Sequence, residues 1–383
     1  MFKTTSDFYS AMNRSCFTHL KSKGLSSVKK WLVLILFLVA VSLAAYYYTV
    51  QLEQSRKLAI IERPIIGNKE RKARTTYAVP FIFRPITPSP FNVFFVETSC
   101  AFQSSVKPGF LQLSKRQACA IYSTAVLNPK HRIIIVHTCP LIKDYSQRWK
   151  EDWPELLSLG NVGVVEAKIP WLLSETPVAS LLDGRLNRSA YPVEHTSDLV
   201  RFAVLYKYGG TYLDTDIISI RPLDDLGHNY IGAQEDKVLA SGIMNINPTD
   251  VGHQFIEEAL SALKFSFNGS VWAANGPQLI TRQLRKFCKL DPKETFDKMG
   301  KLDCGLTVHP PNTFYPIPYW EWEEFFDETA WPRIKDQLNN TYILHFWNKL
   351  TKDSVIYVGS QQPYGIIAAN YCSPIYYKNG DEF

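Results

Sequence analysis

Three short runs decide most of what this chain can fold into: Asn92–Glu97 (NVFFVE), Arg132–His137 (RIIIVH) and Val162–Glu166 (VGVVE). Each is apolar over consecutive residues rather than alternate ones, so neither face of such a strand is suited to water. Between the first two, residues 116–127 (RQACAIYSTAVL) read as a helix that stops before Asn128-Pro129. Strands alternating with helices predict an α/β fold with a mostly parallel sheet covered on both faces. Ligands of such sheets bind beyond the carboxyl ends of the strands. Neither an internal repeat nor a glycine-rich phosphate loop is visible in the sequence.

A second constraint lies upstream. Residues 31–48 (WLVLILFLVAVSLAAYYY) carry no charge, and continuing to Val50 reaches the length of about 20 residues that spans a bilayer core. Trp31 and Tyr46 to Tyr48 stand at the two ends, where aromatic belts lie. Lys3, Arg14, Lys21, Lys23, Lys29 and Lys30 against Asp7 favour a cytosolic N-terminus. The expected organisation is a cytosolic tail (1–30), a transmembrane signal anchor (31–50), a Pro-rich stem (51–90) and a lumenal domain (91–383). The rival is a signal peptide cleaved near Ser42-Leu43-Ala44, but its n-region and apolar run are both longer than usual. Charge divides at the same place. Residues 1–90 hold 14 Lys/Arg against 4 Asp/Glu, whereas the remainder holds 28 against 32. A nucleic-acid protein carries its basic stripe on the folded part, so nucleic acid is not an expected partner.

Cys16 falls in the tail, and Cys100, Cys119, Cys139, Cys288, Cys304 and Cys372 lie beyond the span. Six cysteines allow 15 pairings; Cys288–Cys304 is the local pair to expect first, with an oxidising lumen favouring disulfides over free thiols. Sequons at Asn187, Asn268 and Asn339 are compatible with the same side of the membrane.

The segment that carries chemistry is residues 194–223, EHTSDLVRFAVLYKYGGTYLDTDIISIRPL. Thr196 or Ser197 is placed to cap a helix whose apolar face includes Leu199, Phe202, Ala203 and Leu205, and Gly209-Gly210 end it. Asp198 and Arg201, three apart, project from one face. A strand from Thr211 to Leu213 then delivers Asp214-Thr215-Asp216. In extended backbone the two carboxylates point the same way. Burying them together costs several kcal/mol unless a cation lies between them. A hard dication, Mn²⁺ or Mg²⁺, suits such oxygen ligands and leaves positions open for a substrate diphosphate. An Asp-x-Asp alone is common in solvated loops; here it closes an apolar strand directly after a helix and a Gly-Gly turn.

The block SDLVRFAVLYKYGGTYLDTD resembles the S-D-x-x-R…Y-x-x-G-G-x-Y-x-D-x-D pattern of Golgi glycosyltransferases with a DXD sugar-binding region. It is most similar to the α-1,4-galactosyltransferase / α-1,4-N-acetylglucosaminyltransferase family. FFVETS, RQACAIYS, HTCP, NGPQLITRQL (275–284) and HFWN (345–348) extend the resemblance over about residues 91–375. It implies a single GT-A glycosyltransferase domain, with a Rossmann-like nucleotide half joined to an acceptor half. It further implies transfer from a UDP-sugar with retention. Asp214 and Asp216 would hold metal and diphosphate, while Asp198, Arg201 and Tyr212 would meet the nucleotide or donor sugar. The implied donor is UDP-galactose or UDP-N-acetylgalactosamine, and the acceptor a glycosphingolipid such as lactosylceramide at the Golgi membrane. The alternatives are N-acetylglucosamine transfer to O-glycans and, in a different class, a catalytically lapsed carbohydrate-binding protein.

Other candidates carry two readings each. His345 in the strand-like run YILHFW is either a satisfied core histidine or, by the resemblance, a third metal ligand. Ser241-Gly242, at the donor-sugar strand, replace the Asn-x-Gly of many relatives. Asn275, Gly276 and Gln278 read as a turn opening a helix, or as donors to the acceptor or a phosphate. The aromatic run from Tyr315 through Tyr319, Trp320, Trp322, Phe325 and Phe326 reads first as core packing, with some rings available to a sugar face or a lipid headgroup. No side chain stands out as a nucleophile; retaining transfer has a front-face route in which the leaving phosphate takes the acceptor proton, so that absence does not weigh against the enzyme.

Overall fold

The computed structural model describes residues 86–102, 111–139 and 145–383. The expected tail, anchor and nearly all of the stem lie outside the described residues, and among the described residues no helix is long and apolar enough to cross a membrane. The domain takes hold slightly before residue 91: Thr87 O accepts from Arg132 and Asn92, and the Ser89 N–H donates to Tyr208 O.

The three apolar runs form β1 (Asn92–Glu97), β2 (Arg132–His137) and β3 (Val162–Glu166), paired in parallel. They belong to a seven-stranded sheet in the order β3-β2-β1-β4-β7-β6-β8. Its other members are β4 (Gly210–Leu213), β6 (Tyr230–Ala233), β7 (Leu239–Ile246) and β8 (Thr307–His309). β4 runs parallel to β1, whereas β7 is antiparallel to both β4 and β6. The sheet is therefore mostly parallel with a reversed strand beside the functional end of β4.

Consecutive residues feed opposite sides. Val93, Phe95, Ile133 and Ile135 enter one core; Phe94, Val96, Ile134 and Val136 enter the other. This double burial is why the strands read as unbroken apolar runs. On the first side lies α1 (Lys115–Leu127), started by Ser114 and Gln117 in a reciprocal capping box. On the second lie α2 (Pro192–Tyr208), α3 (Val251–Ser266) and α4 (Pro277–Phe287).

α2 begins a turn earlier than the expected Thr196 or Ser197 cap. Pro192 occupies its first turn, where a fixed φ and a missing N–H cost nothing. The Thr196 hydroxyl instead donates back to Pro192 O, as a residue inside a helix does. Gly209 and Gly210 both have positive φ, and a Cβ on Gly210 would strike Asn92 of β1, so the close join of helix and strand requires glycine.

A separate two-stranded ribbon pairs β5 (Ile217–Ser219) with β9 (Ile343–His345), antiparallel, setting Ile217 opposite His345. Disulfides join Cys100 to Cys139, Cys119 to Cys372 and Cys288 to Cys304, the last being the local pair expected from the sequence. The sequon residues Asn187, Asn268 and Asn339 are all exposed.

Candidate active site

Asp214 follows the last residue of β4, and its N–H donates to Gly242 O of β7. Asp216 follows two residues later, at the entry to the ribbon; its main-chain carbonyl accepts from Phe346 N and its Oδ2 from Asn348 N at 2.7 Å. The ribbon brings His345 between the two. His345 Nε2 stands 3.5 Å from Asp214 Oδ2 and 3.3 Å from Asp216 Oδ1. The two carboxylate side chains are 24% and 19% exposed, and the imidazole 9%. Trp347, next but one, adopts the left-handed region at φ 54°, and its main-chain N lies 3.2 Å from His345 Nδ1. This is backbone that a bulky residue rarely adopts.

Behind this trio lies buried Arg201. Its Nη1 is 3.3 Å from Asp214 Oδ1 and donates to Ser241 O and Oγ; its Nη2 donates to Ser197 Oγ; its Nε lies 3.5 Å from Asp198. The guanidinium also rests over the Tyr212 ring, whose hydroxyl donates to Asp214 Oδ1 at 2.6 Å. Asp214 is thus held from behind by Arg201 and Tyr212 and left one oxygen facing His345.

The electrostatics follow from these contacts. Burial alone would raise the Asp214 pKa, but Arg201, His345 and Tyr212 outweigh it and hold the carboxyl well below the usual range. Asp198 goes the other way: burial pushes it up to about 7, only partly offset by Arg201, while Asp214 and Glu194 add to the rise. For His345 burial favours the neutral ring, yet the charges of Asp216 and Asp214 prevail and raise its proton affinity. The spot between the three side chains attracts positive charge. Three ligand atoms, two oxygens and a nitrogen, lie within 4.8 Å of one another. Adjacent ligands of a hard dication with bonds of about 2.1 Å stand roughly 3 Å apart. The donor set and spacing therefore fit Mn²⁺ or Mg²⁺.

Of the residues singled out from sequence, Asp198, Arg201, Tyr212, Asp214, Asp216, Ser241, Gly242, Gly276 and His345 meet here. A Cβ on Gly276 would come to 2.5 Å from Asp198 Oδ1 and 2.7 Å from Ser241 Oγ, so the turn before α4 presses directly on the site. Asn275 does not present its side chain. Its amide is used within the turn, Oδ1 accepting from Asn268 N and Nδ2 donating to Asn268 O. Gln278 is exposed at the second position of α4. Sequence reasoning missed the part played by Trp347 and Asn348, which act through main-chain N–H groups and so leave no side-chain signature. A cleft of about 470 Å³ opens beside Thr215 and Asp216, lined also by Arg116, Asn348, Lys352 and Phe383.

Two family models match the chain: the "Glycosyltransferase sugar-binding region containing DXD motif" over residues 114–236, and the "Alpha 1,4-glycosyltransferase conserved region" over residues 248–379. The first takes in Asp214 and Asp216, the second His345. The chain is 28% identical to mouse lactosylceramide 4-alpha-galactosyltransferase over 338 residues, 88% of this chain and 86% of the relative. It is 30% identical to human alpha-1,4-N-acetylglucosaminyltransferase over 258 residues, 64% of this chain and 72% of the relative. Among solved structures it is similar to galactosyltransferase LgtC in complex with donor and acceptor sugar analogs, at 12% identity and a TM-score of 0.38, covering 74% of this chain and 95% of that one.

Proposed function

This chain belongs to the α-1,4-glycosyltransferase family with a DXD sugar-binding region, and on that premise we propose that it moves galactose or N-acetylgalactosamine from a UDP-sugar to a glycosphingolipid such as lactosylceramide. It is a glycosyltransferase; donor, acceptor and setting are the reading offered here. The observation that carries it is the meeting of Asp214, Asp216 and His345 in front of buried Arg201. In this reading the domain is a GT-A fold, the product keeps the α configuration, and the apolar segment 31–50 anchors the protein in the Golgi membrane with the catalytic domain lumenal. Three disulfides accord with an oxidising compartment.

Asp214, Asp216 and His345 would hold Mn²⁺ or Mg²⁺, which when bound neutralises charge developing on the departing diphosphate. The protein's own part is positional. Arg201 and Tyr212 keep Asp214 ionised and stationary, and the Asn348 N–H fixes the second carboxylate. Gly242 and Gly276 leave the room that the Asp214 and Asp198 carboxylates occupy, since a Cβ on either would strike them.

The test is transfer by the full chain in detergent, with UDP-galactose, UDP-N-acetylgalactosamine and UDP-N-acetylglucosamine against lactosylceramide and O-glycan acceptors, read by mass. Lactosylceramide extended by a hexose or N-acetylhexosamine supports the proposal. Transfer only of N-acetylglucosamine to O-glycans replaces it with the second reading, which the likeness to the human N-acetylglucosaminyltransferase supports. No transfer to any acceptor, together with no Mn²⁺-linked binding of UDP, removes both. A lapsed enzyme is disfavoured because the acidic pair, the imidazole and the arginine all stand in bonding geometry.

A further inference from the structure

Tyr315 caps the short helix Pro311–Phe314, which is tied to the ribbon by the bond from Tyr342 N to Thr313 O. Its ring packs 5.3 Å from the His345 ring and 5.4 Å from the Trp347 ring, centroid to centroid. The side chain is 2% exposed, and its hydroxyl has no hydrogen-bond partner among the described residues. That oxygen is not lost in apolar core. It lies 3.3 Å from where a Cβ on Gly242 would stand, on the same wall that faces Asp214. Buried hydroxyls are normally paired, and one left alone lowers stability, a cost tolerated where the group has a use. A phenol O–H both donates and accepts, so this group has a hydrogen to donate.

We infer that the Tyr315 hydroxyl is a further donor-binding group, which gives its hydrogen bond to an oxygen of the bound nucleotide sugar beside Gly242. The inference rests on the glycosyl-transfer reading above. The phenol oxygen stands beside Gly242 and its ring beside His345, and among the described residues no protein oxygen completes its bond. The ligand oxygen belongs either to the diphosphate or to the hexosyl group. In both cases the chemistry is the same, one neutral O–H donated in a water-poor site.

Tyr315→Phe removes the oxygen and keeps the ring. Calorimetry on the full chain in Mn²⁺, with UDP and with each of the three UDP-sugars, should show the variant binding nucleotide sugar about tenfold more weakly than wild type. A loss shared by UDP alone places the contact on the diphosphate; a loss confined to the nucleotide sugar places it on the hexosyl group. The melting temperature should stay equal or rise, because a buried unpaired hydroxyl has been deleted. A residue serving only to pack would leave both affinities unchanged, and that result overturns the inference while the transferase reading stands. A wild-type chain with no Mn²⁺-linked UDP binding would instead sink the reading and this inference with it.

Discussion

Gly242→Ala should disable the site without unfolding the protein. Gly242 is not in the left-handed region, so the backbone accepts alanine. The added methyl, however, would overlap Asp214 Oδ2 and come within 3.2 Å of Asp214 Cγ. Restoring ordinary contact requires the carboxylate to retreat by about 1 Å. Its freedom to do so is small, because Tyr212 and Arg201 hold Oδ1 from behind and Asp214 N is bonded to Gly242 itself. The oxygen that moves is the one facing His345. A 1 Å misplacement of a reacting constellation costs on the order of a hundredfold in rate. Transfer should therefore fall about a hundredfold, with weaker Mn²⁺ binding by calorimetry. Overpacking should cost about 1–3 kcal/mol, leaving the protein folded. Gly300→Ala, where nothing lies within 4 Å of an added Cβ, is the control and should be silent. Full transfer and unchanged Mn²⁺ affinity in Gly242→Ala would refute the placing of Asp214 Oδ2 in the metal site.

Arg201→Met strands the buried Asp198 and the half-buried Asp214 and should cost about 3–5 kcal/mol in urea unfolding; a loss under 1 kcal/mol would show that Arg201 does not hold them. Asp198, raised to about 7, keeps its proton when folded at pH values where the unfolded chain has lost it, so its contribution to stability is present at pH 4 and lost as pH rises through 7. Unfolding free energies of wild type and Asp198→Asn across that range should differ by this slope, and the opposite sign would contradict the burial argument. Replacing Cys119 and Cys372 by alanine should lower the melting temperature more than replacing Cys288 and Cys304, because the first bridge spans 253 residues and the second 16. The reverse order, seen by scanning calorimetry, would count against loop entropy as the main term.

Much of the domain could be read from the chain because burial on both faces writes itself as consecutive apolar residues. β1, β2 and β3 begin and end where that pattern does. The pairing of Asp198 with Arg201 was equally legible, since helical spacing alone puts them on one face. Contacts between distant segments were not. His345 stands beside Asp216 only because two three-residue strands pair, and strands so short carry no period of their own. The helix start at Pro192 was obscured because Thr196 and Ser197 are good caps in isolation but are used inside the helix. Asn275 read as part of a turn, but the pairing of its amide with Asn268, which closes that turn, carries no local signature. Two of the three disulfides join segments that nothing local in the sequence links.

The β5–β9 ribbon has a consequence for biogenesis. Ribosomes release a chain from its N-terminus, so Asp214 and Asp216 emerge well before residue 343. Until the late strand threads into place, the carboxylate pair has no imidazole between them, and Asp216 lacks its main-chain tether. A half-made polypeptide should therefore be catalytically silent, and premature stop codons upstream of the late strand should behave as complete nulls even where the early sheet has formed.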